Sequence, residues 1–126
     1  MDHFDYIDGV MHVEQVPLAE IAQKVGTPVY VYSSGVLTER FERFRRALAD
    51  VDASILYALK ANDALAVVRT LAELGAGADV VSEGELAIAR AAGLPGEKIV
   101  FAGVGKRRAE MEAGIAAGIL QFNVES

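Results

Sequence analysis

The chain has 126 residues, 52% of them apolar and 24% charged, with a net charge of -6 and no cysteine. This composition fits one folded domain with a modest core and excludes a disordered polar chain, disulfides and cysteine-bound metal. The acidic balance argues against a general nucleic-acid binder, and no run approaches the roughly 18 apolar residues of a membrane span. The opening Met1-Asp2-His3-Phe4-Asp5 lacks the basic and apolar regions of a secretory signal, so a cytoplasmic location is expected, with no membrane and no nucleic-acid partner.

In chain order, Val13 to Pro17 and Pro28 to Tyr32 read as short extended segments. Between them Leu18, Ile21, Ala22 and Val25 share a face, which predicts a helix from Leu18 to Val25 stopped by Gly26. Ser34 is placed to cap a second helix. On it Leu37, Phe41, Phe44 and Leu48 fall at helical spacing, and Glu39–Arg43 and Glu42–Arg46 form i,i+4 pairs in the favourable order. His3 and His12 have no third ligand at metal spacing and read as surface residues.

From about residue 53 strand and helix patterns alternate. Strands are predicted over Ser54 to Leu59, Ala78 to Val81, Lys98 to Ala102 and Ile119 to Val124. Asp63 is expected to cap a helix whose apolar face is Val67, Leu71 and Leu74, closed by Gly75. Ser82 and Glu85 form a capping box, and the helix they open ends at Gly93, with Pro95 beyond. A third helix, from about Arg107 to Gly118, is expected to turn Met111 and Ile115 inward. The strand starts recur at intervals of 24, 20 and 21 residues. A βα repeat with near-continuous apolar strands means an α/β fold with a parallel sheet. A doubly wound sheet and a (β/α)8 barrel both fit. A whole barrel takes about 250 residues, so the chain reads as an N-terminal piece of a larger protein.

The residue that stands out chemically is Lys60. It ends the apolar run Ile55 to Leu59, where burying an ammonium is costly unless it is neutralised or reacts. On position alone it reads as a solvated lysine at a strand end. The functional reading is an amine that forms a Schiff base with an aldehyde. Strand parity puts Ser54, Leu56, Ala58 and Lys60 on one face, where small residues leave room for a ligand at the carboxyl end of the sheet. Asp79 in the next strand is either a capping or turn residue or a carboxylate that orients or balances Lys60. Gly75-Ala76-Gly77 and Gly103-Val104-Gly105 lack the third glycine of a dinucleotide fingerprint. The second pair is expected to form a loop at the barrel mouth with backbone amides facing a ligand. Lys106, Arg107 and Arg108 read as a solvated helix start, and Glu83 and Glu85 as helix-start acids.

Tyr57-Ala58-Leu59-Lys60-Ala61-Asn62 resembles the pyridoxal phosphate lysine motif of the fold-type III group-IV decarboxylases, the alanine-racemase-like barrel enzymes. Other segments resemble the diaminopimelate decarboxylase family in particular. They are Val16 to Leu18, Gly26 to Ser33, Leu71 to Ser82 with Gly84-Glu85-Leu86, Val100 to Lys106, and Phe122 to Ser126. The resemblance implies a (β/α)8 TIM barrel whose first strand carries Lys60, preceded by a segment of a β-domain. Residues 1–35 would belong to that β-domain and residues 36–126 to the first half of the barrel, about four strands. It implies pyridoxal 5'-phosphate (PLP) as cofactor, Lys60 as the catalytic and cofactor-binding lysine, and Ala58 and Asp79 against the cofactor. It also implies a small amino-acid substrate, a homodimer, and decarboxylation of meso-2,6-diaminopimelate to L-lysine and CO2. The residues that bind the phosphate, the pyridine nitrogen and the substrate are expected later than Ser126. Ornithine- or arginine-type decarboxylases share the lysine motif but are expected to differ at Phe101 to Lys106. Ala61-Asn62 counts against an alanine racemase, and Val13 to Ser33 against a PLP carrier without a β-domain. An inactive half-barrel is the remaining alternative.

Overall fold

The computed structural model describes residues 3–125; Met1, Asp2 and Ser126, the last residue of the resembling segment Phe122 to Ser126, lie outside the described residues. The chain starts with a hairpin, β1 (Phe4–Ile7) and β2 (Val10–Val13), to which β3 (Val16–Pro17) adds antiparallel. The hairpin turns on Asp8-Gly9, whose φ angles of 50° and 78° suit the mirror-image turn that matches strand twist. This hairpin precedes the extended segment expected from Val13, and Asp8-Gly9 is its mark in the sequence.

Helix α1 (Leu18–Val25) has the bounds its apolar face predicts, although Val25 itself remains exposed. Residues 26–33 pair with no strand, so the extended segment expected at 28–32 is irregular backbone. Helix α2 (Ser34–Ala47) is capped by Ser33 and not by Ser34, the Ser33 hydroxyl accepting from the Val36 amide at 3.0 Å. Phe41 is buried, but Phe44 stays exposed. The two expected i,i+4 pairs are replaced. Glu42 takes Arg45 at 2.7 Å, and Glu39 takes His3 at 3.1 Å because the incoming N-terminal segment reaches that face.

Four parallel strands follow in chain order, β4 (Leu56–Ala58), β5 (Gly77–Val80), β6 (Ile99–Phe101) and β7 (Gln121–Phe122). Paired residues lie 21 apart in sequence at each step, as in Leu56 to Gly77, Ala78 to Ile99 and Val100 to Gln121. Strands β4, β6 and β7 are shorter than expected, their ends turning into loops and, at Leu59–Ala61 and Gly96–Lys98, into 3-10 turns, while β5 keeps four residues, shifted by one. Between strands run α3 (Leu65–Glu73), α4 (Glu83–Ala91) and α5 (Arg108–Ala117).

Three local expectations change. Asp63 does not cap α3. Ala64 is its N-cap residue, and the Asn62 side chain accepts the Ala64 amide at 3.0 Å. Ser82 does cap α4 through the Glu85 amide, but the Glu85 carboxylate accepts from Val81 at 2.8 Å and not from Ser82. Met111 and Ile115 face solvent, while Glu110 and Gly114 turn inward. A Cβ on Gly114 would lie 2.6 Å from the Phe122 ring, so the bare backbone is what lets α5 approach the sheet.

The helices share one face of the sheet. Ala78, Val80, Ile99 and Phe101 point to that side and form a core with Leu59, Val68, Leu86 and Ala89. The Phe101 and Phe122 rings pack 5.8 Å apart in the same layer. The alternate residues line a concave inner face. Helices on one side and an open hollow on the other make this a partial (β/α)8 barrel preceded by a β-sheet, and not a doubly wound sheet.

Candidate active site

Strand β4 stops at Ala58, two residues before Lys60. Leu59 is fully buried in the core and anchors the 3-10 turn that follows. This turn brings Lys60 out at the carboxyl end of the sheet, where it is exposed and belongs to no ion pair among the described residues. The turn is tied at both sides. The Tyr57 hydroxyl donates to the Asn62 carbonyl at 3.0 Å, and the Asn62 side chain takes the Ala64 amide. Burial, with the nearby Tyr32 and Asp63, pushes the Tyr57 phenol above its ordinary 10.0 against that hydrogen bond. Tyr57 therefore stays neutral and keeps its proton to donate.

Asp79 lies inside β5, which removes the capping and turn readings. Its register partners are Ala58 on one side and Val100 on the other, and Val100 pairs with Gln121. Ala58, Asp79, Val100 and Gln121 thus form one inward row across four strands. Asp79 Oδ1 is buried and has no hydrogen-bond partner among the described residues. An acceptor left in that state is costly, so it is a group poised for a ligand. The residue lines a hollow of about 450 Å³ that is also bounded by Phe44, Leu48, Leu56, Val100, Gln121 and Asn123. The structure brings Ala58 and Asp79 side by side and puts Lys60 at the end of the same strand. It shows no direct bond between Lys60 and Asp79.

The loop after β6 differs from expectation. Gly103, at φ 101°, does not offer its amide to the hollow; it donates to the Glu125 carboxylate at 3.0 Å. Lys106 is not a solvated helix start. Its ammonium donates to the Gly103 carbonyl at 2.7 Å and also to the Asn123 carbonyl. Arg107 pairs with the buried Glu110 at 3.3 Å, and the Arg107 contact holds the Glu110 carboxyl below its ordinary range. Asn123 and Gln121, bonded to each other at 2.8 Å, and the Tyr57–Asn62 tie were not singled out by the sequence reading. Alternation along the expected strand Ile119 to Val124, which puts Gln121 and Asn123 on one face, is the sequence signal for the first pair. His12 bonds the Val10 carbonyl at 2.8 Å. Among the described residues no three His, Asp or Glu side chains are grouped to hold a metal ion, and no helix is long and apolar enough to cross a membrane.

The family model for the pyridoxal-binding domain of pyridoxal-dependent decarboxylases matches residues 34–126. The chain is 52% identical to the diaminopimelate decarboxylase of Aquifex aeolicus over 98% of its own length and 29% of that protein's. Its fold superimposes on the crystal structure of diaminopimelate decarboxylase from M. jannaschii in complex with L-lysine, with a TM-score of 0.86 and 42% identity, covering 99% of this chain and 30% of that one. Against the lysine/ornithine decarboxylase of Vibrio vulnificus complexed with putrescine the TM-score is 0.78 and the identity 26%, covering 86% of this chain and 30% of that one. The chain spans about 30% of the length of the curated relatives it matches. It belongs to the pyridoxal-dependent decarboxylase family, as part of the pyridoxal-binding barrel, and its homology within that family is to the diaminopimelate decarboxylases.

Proposed function

We propose that this chain supplies the Lys60 side of the PLP site in an enzyme that converts meso-2,6-diaminopimelate to L-lysine and CO2. The observation that carries the reading is the lysine just past the exit of β4, two residues after Ala58, whose register partner Asp79 holds a buried, unpartnered oxygen. Those residues fit the cofactor. Lys60 offers a primary amine to an aldehyde, small Ala58 leaves space beside it, and Asp79 can accept a hydrogen from the bound group. When bound, PLP supplies an electron sink for the pair left as the carboxylate departs. Lys60 must lose its proton to attack, and the turn held by Leu59, Tyr57 and Asn62 fixes where its nitrogen emerges. Asp79 holds its partner in one orientation because the strand ladder fixes its backbone on both sides.

The preference for diaminopimelate rests on identity, 52% and 42% to decarboxylases of that name against 26% to a lysine/ornithine enzyme. In this reading residues 1–35 belong to the β-domain and 36–126 to the barrel, and the enzyme is a cytoplasmic homodimer. A second reading, a half-barrel that performs no chemistry alone, is favoured by the open inner face, where Phe44 is 55% exposed. Borohydride reduction after incubation with PLP, followed by peptide mass mapping, separates the two. One equivalent on Lys60, absent in Lys60→Ala, is expected. Labelling spread equally over Lys24, Lys98 and Lys106 would overturn the proposed role of Lys60 in this chain.

A further inference from the structure

Lys106 joins the exits of two neighbouring strands. One ammonium takes the carbonyl of Gly103, after β6, and the carbonyl of Asn123, after β7. Glu125 closes the ring by accepting the Gly103 amide at 3.0 Å. The peptide of Asn123 is held from its other side as well, its amide donating to the Phe101 carbonyl at 2.8 Å. The Asn123 side chain borders the same hollow as Asp79, and its oxygen is already taken by the Gln121 amide. With the oxygen engaged, the Asn123 amide hydrogens are the donors left for a ligand. A charge-assisted pair of bonds is strong enough to fix a loop that has no helix or strand of its own.

We propose that Asn123 is a further binding residue for the group held on Lys60, and that Lys106 is a positioning residue that sets it. This rests on the reading of Lys60 as the cofactor's lysine. Asp79 reaches the hollow from β5 and Asn123 from the exit of β7, two strands away, while Lys60 emerges past the end of β4, so Asn123 supplies a donor from the far side of the partial barrel. Lys106 touches neither the hollow's Asp79 nor Lys60, and its effect passes through the Asn123 carbonyl.

The test uses Lys106→Met, Lys106→Arg and Asn123→Ala, with PLP affinity read from visible absorbance and amide exchange read by mass spectrometry. In Lys106→Met, faster exchange at Gly103 and a rise of about tenfold in the PLP dissociation constant are expected, the loss that one charge-assisted bond represents. Lys106→Arg, which keeps a cation with several donors, should restore most of the affinity. Asn123→Ala should lose affinity with Gly103 exchange unchanged, a result that a purely structural tie does not produce. Wild-type affinity in Asn123→Ala overturns the proposal, and decides it alone if Lys106→Met does not fold. Should the unsubstituted chain trap no PLP on Lys60, the Lys60 reading falls and this one with it. Trapping on Lys60 with unchanged affinity in the variants removes only the role of Asn123 and Lys106.

Discussion

The Tyr57 hydroxyl spans the turn that presents Lys60, reaching the Asn62 carbonyl from the helix-facing side of β4. Tyr57→Phe should cost about 1 kcal/mol, the usual net value of one such bond, and speed amide exchange over Leu59 to Asn62, read by mass spectrometry. Replacing Asp79 with Asn keeps the shape but exchanges a carboxylate oxygen for an amide donor, so PLP affinity should fall. Higher affinity in Asp79→Asn would sink the role given to this carboxylate. Lys60 and Asp79 stand out in the sequence because each is a charged group in or beside an apolar run, and the structure puts Asp79 inside β5 and Lys60 just past β4. The unpartnered state of Asp79 was not legible there, since it depends on what two neighbouring strands place beside it. Lys106 read as solvated for a related reason. Its partners are backbone carbonyls, which carry no mark in the residue pattern.

Among the elements, α5 shows where periodicity stops being informative. The helix itself was readable, but its rotation was not. Met111 and Ile115 were the apolar choice for the buried side, yet Gly114 and Glu110 occupy it. Contact with Phe122 requires a residue without Cβ, and the Glu110 carboxylate accepts the Arg107 amide at 2.9 Å and lies 3.5 Å from that of Glu83. Close approach and polar satisfaction outweighed the burial of two flexible side chains. Gly96 marks a similar contact at the opposite end of the sheet, where a Cβ would fall 2.0 Å from the Ala117 carbonyl and 2.5 Å from that of Gly118. Backbone cannot yield as a side-chain tip does. Gly96→Ala should therefore destabilise by roughly 1–3 kcal/mol, the range for overpacked sites, as measured by chemical denaturation. An unchanged midpoint would show that the turn Gly96–Lys98 can shift.

For the molecule as a whole, the joint between the N-terminal sheet and the barrel is polar. Glu14, at φ 54° between β2 and β3, accepts from the Ser33 hydroxyl at 2.6 Å and from the Gly35 amide at 2.8 Å at the start of α2. The Ser33 bond first, then the Gly35 bond, hold the Glu14 carboxyl below its ordinary 4.5, and His3 adds to the effect. A depressed carboxyl stabilises above its unfolded value and loses that contribution as pH falls through the folded one. Glu39, which is also lowered by its bond to His3, acts in the same direction. Proteolysis within β1–β3 should thus rise as pH drops below about 4.5, and Glu14→Gln should flatten much of that step. Sequence made the βα period visible but not this joint, because Glu14 and Ser33 are 19 residues apart and neither lies in a patterned segment.

The constant offset of 21 residues between paired strands also orders the assembly of this half-barrel. Each strand pairs with the one made just before it, so every closure spans a similar, short length of chain, and short closures are fast. A chain emerging from the ribosome can add β5, β6 and β7 to an edge that already exists. Lys60 follows the first of those strands, so the turn that carries it can be set before β5, β6 and β7 are added.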